Sequence, residues 1–237
     1  MLQDKIHILC TRSIDQKLLN HAALMGVDID TLSYIETMPI VSEELKQKIQ
    51  SLAIENNTVV FTSMNAVTAV IGHLRSIPQW NVFSMGGVTK ELVLQYFGEK
   101  ALSGSAKNAT ALCERIIETG KVNKVIFFCG DQRLDELPET LEANGIEVEE
   151  YAVYTTEQTP HETQKNYDGI LFFSPSAVHS FFSVNTVATD VVFFAIGKTT
   201  AATIKTYVNN TVVTSEWPGK EQMVELAINY FTSIKQS

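Results

Sequence analysis

Short apolar runs of the kind found in buried strands alternate with amphipathic helical patterns along most of the chain. The apolar runs predict strands at Ile6–Cys10, Val27–Asp30, Thr58–Thr62, Val82–Ser84, Lys124–Cys129, Glu147–Ala152, Gly169–Phe173 and Val191–Ala195. The helical patterns predict helices at Asp15–Met25, Glu43–Ile54, Asn65–Leu74, Thr89–Phe97, Thr110–Thr119, Leu134–Ala143, Ala177–Phe182, Thr199–Tyr207 and Lys220–Ile234. Because strands that alternate with helices usually pair in parallel and are covered on both faces, the pattern predicts an α/β fold with parallel sheets.

An internal repeat divides this pattern into two halves. The stretch 8–30 resembles 127–149, which lies 119 residues later in the chain. The stretches 61–67 and 83–92 resemble segments that lie 111 residues further on. Matching segments that keep the same order indicate a duplication, so we expect two similar α/β halves with a ligand cleft between them.

Composition and charge narrow the function classes. The chain has 237 residues, of which 45% are hydrophobic and 19% charged, as in an ordinary globular protein. No apolar run approaches the roughly 20 residues of a membrane span, and the N-terminus lacks the pattern of a secretory signal, so we expect a cytoplasmic protein without a membrane partner. A net charge of −9 with scattered Lys and Arg argues against nucleic acid as a partner. The odd number of cysteines without C-x-x-C spacing predicts buried free thiols and neither disulfides nor a zinc site.

Familiar catalytic motifs are absent from the sequence. The stretch Gly197–Thr200 resembles the end of a phosphate-binding loop, but that loop needs a glycine where the chain has Val192, so ATP or GTP binding is excluded there. A dinucleotide fingerprint, a nucleophile elbow and a paired-histidine zinc motif are also missing. The dispersed histidines and acidic residues offer no metal site and no pair of carboxylates for acid–base chemistry.

Small, neutral hydroxyl and amide residues instead occupy the junctions where predicted strands meet helices. The junctions are Thr11–Ser13, Thr62–Asn65, Gly130–Asp131, Ser174–Ser176 and Gly197–Thr200. Helix capping alone explains residues of this kind. The carboxyl ends of parallel strands are also where α/β sheets bind ligands, and helix N-termini at that edge attract anions. Both interpretations remain open at this point.

Four segments of the sequence, three of which contain such junctions, together resemble the uroporphyrinogen-III synthase family along essentially the whole chain. They are FTSMNAV (61–67), FFSPSAVHSFF (172–182), AIGKTTAATI (195–204) and VYTT (153–156). The resemblance implies two similar parallel-sheet α/β domains joined by a two-stranded connector, with a cleft between them. It implies a discontinuous domain of residues 1–36 plus 156–237 and a continuous domain of residues 40–152.

The resemblance also implies an activity. The family consists of cyclising lyases that convert hydroxymethylbilane, a linear tetrapyrrole, to uroporphyrinogen III. Water is lost, and the last pyrrole ring is inverted through a spiro intermediate. No metal or organic cofactor takes part, and the resemblance implies a monomer. The bilane closes to another isomer without the enzyme, so the protein must favour the geometry of the harder attack.

Functional residues are carried over from the family by position. Tyr154 matches the tyrosine of the connector motif and is expected to assist departure of the substrate hydroxyl, although it also fits the role of a packing residue that lines a hinge. The residues expected to bind the carboxylate arms are Arg12, Ser63, Asn65, Gly130, Ser174, Ser176, Gly197, Thr199 and Thr200. Lys198 and Met64 depart from the family pattern, because proline is usual at the first of these positions and common at the second.

Two other functions fit parts of the sequence. A non-catalytic two-lobed protein that binds a tetrapyrrole or another anionic metabolite would use the same cleft and the same helix ends. A receiver-like signalling domain fits less well, because no cluster of acidic residues follows the first strand.

Overall fold

The computed structural model describes residues 5–217 and 219–234. Its strands are β1 (Ile6–Cys10), β2 (Val27–Thr31), β3 (Ile35–Pro39), β4 (Thr58–Phe61), β5 (Asn81–Met85), β6 (Leu102–Ala106), β7 (Lys124–Gly130), β8 (Glu147–Gln158), β9 (Gly169–Phe172), β10 (Val192–Ala195) and β11 (Val212–Thr214). Its helices are α1 (Gln16–Leu24), α2 (Glu43–Leu52), α3 (Met64–His73), α4 (Val88–Phe97), α5 (Ala109–Glu118), α6 (Glu136–Ala143), α7 (Pro175–Phe182), α8 (Lys198–Lys205) and α9 (Lys220–Ile234), with a short 3-10 helix at Glu99–Ala101. None of the described helices is long and apolar enough to cross a membrane.

The strands form two sheets, in which most neighbouring strands are parallel. One sheet has the order β11-β10-β9-β1-β2, and the other has the order β3-β8-β7-β4-β5-β6. All pairs of the first sheet are parallel, as are those from β8 to β6 in the second. The predicted α/β fold with parallel sheets is therefore confirmed.

The chain divides into two units that match these sheets. Unit 1 contains the residues up to Glu36 and those from Glu157 onward, and unit 2 runs from Thr37 to Thr156. The central strands β10-β9-β1-β2 of unit 1 correspond in order to β5-β4-β7-β8 of unit 2. The repeated sequence segments fall on these corresponding strands, so the sequence repeat is also a structural repeat. The series of strands that runs from β4 to β8 in unit 2 begins at β9 in unit 1 and is completed there by β1 and β2.

Two strands carry the chain between the units. β3 lies beside β8 in the second sheet. The Ile40 amide donates to the Val153 carbonyl at 2.9 Å, and the Thr159 amide donates to the Tyr34 carbonyl at 3.0 Å. Residue numbers rise along one strand as they fall along the other, so this pair is antiparallel.

Alternating side chains cover both faces of each sheet. On β9, Ile170 and Phe172 contact one apolar cluster, whereas Leu171 between them contacts the other. On β7, Phe127 and Phe128 divide in the same way. All five side chains are almost completely buried, as expected for strands covered by helices on both sides.

Three strands were not predicted from the apolar pattern. β6 has the sequence LSGSA, and β11 has only three residues, so neither contains a recognisable apolar run. Both lie at the edges of their sheets. The connector strand β3 alternates too weakly to be assigned from its own residues, although the family resemblance implied a connector near it.

Candidate active site

Three neighbouring strands of the unit 1 sheet, β10, β9 and β1, end at one edge, and the turns after them contain most of the predicted binding residues. After β1, the amide and the hydroxyl of Thr11 both donate to the Leu171 carbonyl, at 3.1 and 2.8 Å. Thr11 is buried and its hydroxyl already has an acceptor, so its contribution is to the packing of the edge. Arg12 follows it and is half-buried.

The turn after β9 is a well-capped helix start. Ser174 has extended backbone angles, and its Oγ accepts a hydrogen bond from the Ala177 amide at 3.2 Å. Pro175 occupies the first turn of α7, where its missing N–H is no loss. Capping therefore accounts for the position of Ser174, while Ser174 and Ser176 both stay partly accessible.

The turn after β10 differs, because no side chain caps α8. Gly197 is the N-cap residue, and it has no side-chain hydrogen bond to the first turn. The amides of this turn therefore remain suitable donors for an anion. The two threonines in it are not equivalent, since Thr199 is exposed and Thr200 is only 3% exposed.

A second basic residue accompanies Arg12 at this edge and was not identified from the sequence. Burial raises the pKa of the Cys10 thiol to about 11, and the charges of Lys220 and Arg12 act in the opposite direction. Both cations therefore lie within electrostatic range of the carboxyl end of β1. Lys220 begins α9 far along the chain, so only the folded structure relates it to Arg12.

Unit 2 contains the same two types of helix start. After β4, the Oγ of Ser63 caps α3 by accepting from the Asn65 amide at 3.1 Å. After β5, the N-cap residue of α4 is Gly87, which has a φ of 65° and makes no side-chain hydrogen bond to the first turn. The positive φ explains the glycine at that position. The uncapped start of α4 corresponds to that of α8 and was not among the predicted site residues.

Tyr154 lies at the carboxyl edge of the unit 2 sheet. β8 pairs with β7, and the last residue of β7, Gly130, lies opposite Tyr154. Burial raises the pKa of the Tyr154 phenol, and a side-chain interaction with Ser63 lowers it. Because burial has the larger effect, the phenol is protonated at neutral pH and can donate a hydrogen bond.

Each unit therefore brings its own share of the predicted residues to one sheet edge. Unit 1 groups Arg12, Ser174, Ser176, Gly197, Thr199 and Thr200. Unit 2 groups Ser63, Asn65, Gly130 and Tyr154. Their roles in binding and catalysis remain predictions.

A cavity of about 680 Å³ lies elsewhere in unit 1. Its lining includes His7 and Asp168, at the amino ends of the strands, and none of the predicted site residues. Two lysines in its lining are already paired with aspartates, Lys5 with Asp28 at 3.0 Å and Lys165 with Asp30 at 2.6 Å. These pairs reduce the charge that the cavity could offer to an anionic ligand.

The protein therefore consists of two repeated α/β units. A two-stranded connector joins the units, and neutral hydrogen-bond donors line the carboxyl edge of each sheet. A model of the family described as uroporphyrinogen-III synthase HemD matches residues 17–225. The chain therefore belongs to the uroporphyrinogen-III synthase family, whose members are cyclising lyases of tetrapyrrole biosynthesis.

Solved structures share the fold at low sequence identity. Uroporphyrinogen-III synthetase from Helicobacter pylori is 18% identical with a TM-score of 0.67, covering 95% of this chain and 99% of that chain. A mutant uroporphyrinogen III synthase from Thermus thermophilus is 12% identical with a TM-score of 0.67, covering 98% of this chain and 100% of that chain. No match was found among curated protein sequences.

Proposed function

We propose that this protein is a uroporphyrinogen-III synthase that acts on hydroxymethylbilane. The observation that carries the proposal is the protonated phenol of Tyr154 at a carboxyl sheet edge, beside the Ser63 turn, in a chain that belongs to the synthase family. Over all its steps, the reaction breaks the C–O bond of the hydroxymethyl group and one C–C and one C–H bond of the last ring, and it forms two new C–C bonds. The hydroxyl group and the hydrogen leave as water, so the reaction requires neither an oxidant nor a reductant.

Tyr154 assists the departure of the hydroxyl group. Its phenol donates a hydrogen bond to the leaving oxygen, while the lone pair of the pyrrole nitrogen replaces the breaking C–O bond. The hydroxide and the proton of that nitrogen leave as water, which gives an azafulvene. The raised pKa of the phenol makes it a hydrogen-bond donor rather than a strong acid. The substituted carbon of the last ring then attacks, and the spiro intermediate fragments and recloses with that ring inverted.

The carboxylate arms of the bilane bind at the sheet edges of the two units. In unit 1, the uncapped amides of α8 and the exposed hydroxyl of Thr199 donate to one carboxylate, and Arg12 and Lys220 supply positive charge. In unit 2, the uncapped start of α4 offers equivalent donors. Lys198, which is exposed at the first position of α8, adds a cation where the family usually has proline.

Neutral donors suit this substrate because they hold several carboxylates without exchanging protons with them. The main demand on the protein is to hold the two ends of a flexible chain in one geometry. We expect the protein to work as a cytoplasmic monomer, and light scattering of the purified protein would test the oligomeric state.

The product isomer tests the proposed function. Purified protein is mixed with freshly generated hydroxymethylbilane, and the oxidised products are separated by chromatography. We expect the type III isomer to replace the type I isomer, which forms without enzyme. The same isomer ratio with and without protein would contradict the proposal and would leave a tetrapyrrole-binding protein as the explanation.

The Tyr154→Phe variant tests the catalytic role of the phenol. We expect kcat to fall by about 100-fold, the lower end of what a positioned proton donor contributes, with folding unchanged. Tyr151→Phe is the matched control, because Tyr151 lies on the same strand and donates to Glu149, away from the sheet edge. Equal kcat values for the two variants would show that the Tyr154 hydroxyl takes no part in the reaction.

A further inference from the structure

The ring of Tyr154 occupies the space in which residue 130 would carry a side chain. A Cβ atom built on Gly130 would lie 2.5 Å from Cζ of Tyr154 and 2.7 Å from its hydroxyl oxygen. Real Cβ atoms essentially never come this close to another atom. Gly130 is not among the described glycines with positive φ, so space for the ring explains this glycine, and backbone conformation does not.

A bulge in β8 brings the ring to this position. The pairing of β7 with β8 is regular up to Cys129 opposite Ala152 and then shifts, so that Gly130 lies opposite Tyr154 and Val153 is the extra residue. Residues three apart on a regular strand face opposite sides of the sheet. Tyr151 and Tyr154 nevertheless pack against the same apolar cluster, as a bulge between them allows.

The backbone around Tyr154 is held by the two residues that follow Gly130. The Asp131 amide donates to the Tyr154 carbonyl at 3.1 Å, and Oδ1 of Asp131 accepts from the Thr156 amide at 2.9 Å. Nε2 of Gln132 donates to the Thr156 carbonyl at 2.7 Å. Asp131 thus fixes the chain at the tyrosine itself and again two residues later.

We propose that Gly130 and Asp131 are positioning residues for Tyr154, in which the glycine makes room for the phenol ring and the aspartate fixes the backbone that carries it. The proposal rests on the catalytic role proposed above for Tyr154. It replaces the predicted role of Gly130, contact with the substrate, by that of leaving space for the ring of Tyr154. Asp131 gains a role that was not predicted from the sequence.

The state of the phenol can be measured without substrate. The protein is labelled with carbon-13 at Cζ of its seven tyrosines, and the Tyr154 resonance is identified by its loss in Tyr154→Phe. In Gly130→Ala, we expect this resonance to shift and its alkaline titration to move towards that of an exposed tyrosine, because the displaced ring loses the burial that raises its pKa. Gly72→Ala is the matched control, because no atom lies within 4 Å of a Cβ there.

Activity should follow the position of the ring. We expect Gly130→Ala to lower kcat by about 10- to 100-fold, as for a misplaced catalytic group, with little change in KM for the bilane. Asp131→Ala should lower kcat in the same direction. Asp131→Asn should restore most of it, because the amide oxygen can still accept from Thr156. An unshifted Tyr154 resonance in a folded Gly130→Ala protein would overturn the proposal, as would equal kcat values for Asp131→Asn and Asp131→Ala.

If Gly130→Ala folds poorly, the same substitution is tested in a protein that already carries Tyr154→Ala. If the ring of Tyr154 causes the defect, Gly130→Ala should be well tolerated in a protein that already carries Tyr154→Ala, and an equal loss of stability in both backgrounds would refute the contact. A failure of the catalytic proposal can be distinguished from a failure of the positioning proposal. Full activity of Tyr154→Phe would show that the phenol has no catalytic role, whereas the tyrosine resonances would still report whether Gly130 makes room for the ring.

Discussion

Replacing Asn185 by aspartate tests the hydrogen-bond network that ties the segment after β8 to the end of α7. Asn185 is 8% exposed. Its Nδ2 donates to the carbonyls of His161 and Phe181 at 2.8 and 2.9 Å. Its Oδ1 accepts from the amide and the hydroxyl of Thr163 at 2.8 and 3.1 Å. The four hydrogen bonds use the full capacity of the amide and fix its orientation.

The substitution keeps the shape of the side chain and reverses the polarity of one end. Both donated hydrogen bonds are lost, at about 1 kcal/mol each. A carboxylate oxygen then faces two carbonyl oxygens in a buried site, which costs about 1–3 kcal/mol more. We therefore expect Asn185→Asp to lower the free energy of unfolding by about 3–5 kcal/mol at neutral pH.

The loss of stability in Asn185→Asp should depend on pH. Burial and the two carbonyls raise the pKa of the introduced carboxyl in the folded state above its unfolded value of about 3.9. The penalty is therefore present above the folded pKa and is relieved as the pH falls through it, because the protonated carboxyl can donate to one carbonyl. Asn185→Ala removes the same network without this pH dependence.

Urea denaturation followed by circular dichroism at several pH values measures these changes. Asn20→Asp is the matched control, because Asn20 is exposed on α1 and its Oδ1 only accepts a hydrogen bond from Gln16. We expect that control to stay within about 0.5 kcal/mol of the wild type. The same stability for Asn185→Asp as for this control, or a penalty that does not depend on pH, would refute the reasoning.

Three other regions offer shorter tests. Gly169→Ala should lower the free energy of unfolding by about 1–3 kcal/mol, because a Cβ there would lie 2.9 Å from Phe231, whereas Gly72→Ala should raise it by about 0.5–1 kcal/mol in the same urea titration. Hydrogen bonds from Tyr151 and Lys124 lower the pKa of Glu149 to about 2. Its contribution to stability is therefore lost as the pH falls from about 4.5 towards that value, and Glu149→Gln should flatten this acid-side decline in thermal melts. Burial raises the pKa of each thiol to about 11, so none should react with a thiol reagent at mildly alkaline pH until the protein is unfolded; the thiols are Cys10, Cys113 and Cys129.

The buried strands could be predicted from the sequence because a strand that is buried on both faces consists of a continuous run of apolar residues. The edge strand β6 could not be predicted, since its position depends on the close approach of neighbouring side chains to its backbone rather than on apolar residues of its own. A Cβ on Gly104 would lie 2.7 Å from Cδ of Arg115 and 3.0 Å from the ring of Phe83. That glycine lets neighbouring side chains pack against the strand, and its contacts come from α5 and β5, which no local pattern in β6 reveals.

The candidate site was predictable only in part, for a similar reason. The serine caps Ser63 and Ser174 follow from the residues at their own turns. The relation of Tyr154 to Gly130 depends on a register shift between two strands, and that of Lys220 to Arg12 depends on the packing of the last helix. The residues of each pair lie far apart in the sequence, so no local pattern reveals that the fold brings them to the same sheet edge.

The structural repeat indicates where the two units have diverged. β1 and β7 hold the same place in the sheets of the two units, and Thr11 corresponds to Gly130 at their ends, 119 residues apart. In unit 1, the threonine fills its position, is buried, and donates its hydroxyl to the Leu171 carbonyl. In unit 2, the glycine leaves that space to the ring of Tyr154. The duplicated fold thus keeps one capped and one uncapped helix start in each unit, while the absence of a side chain at Gly130 leaves room in unit 2 for the group that we propose acts on the substrate.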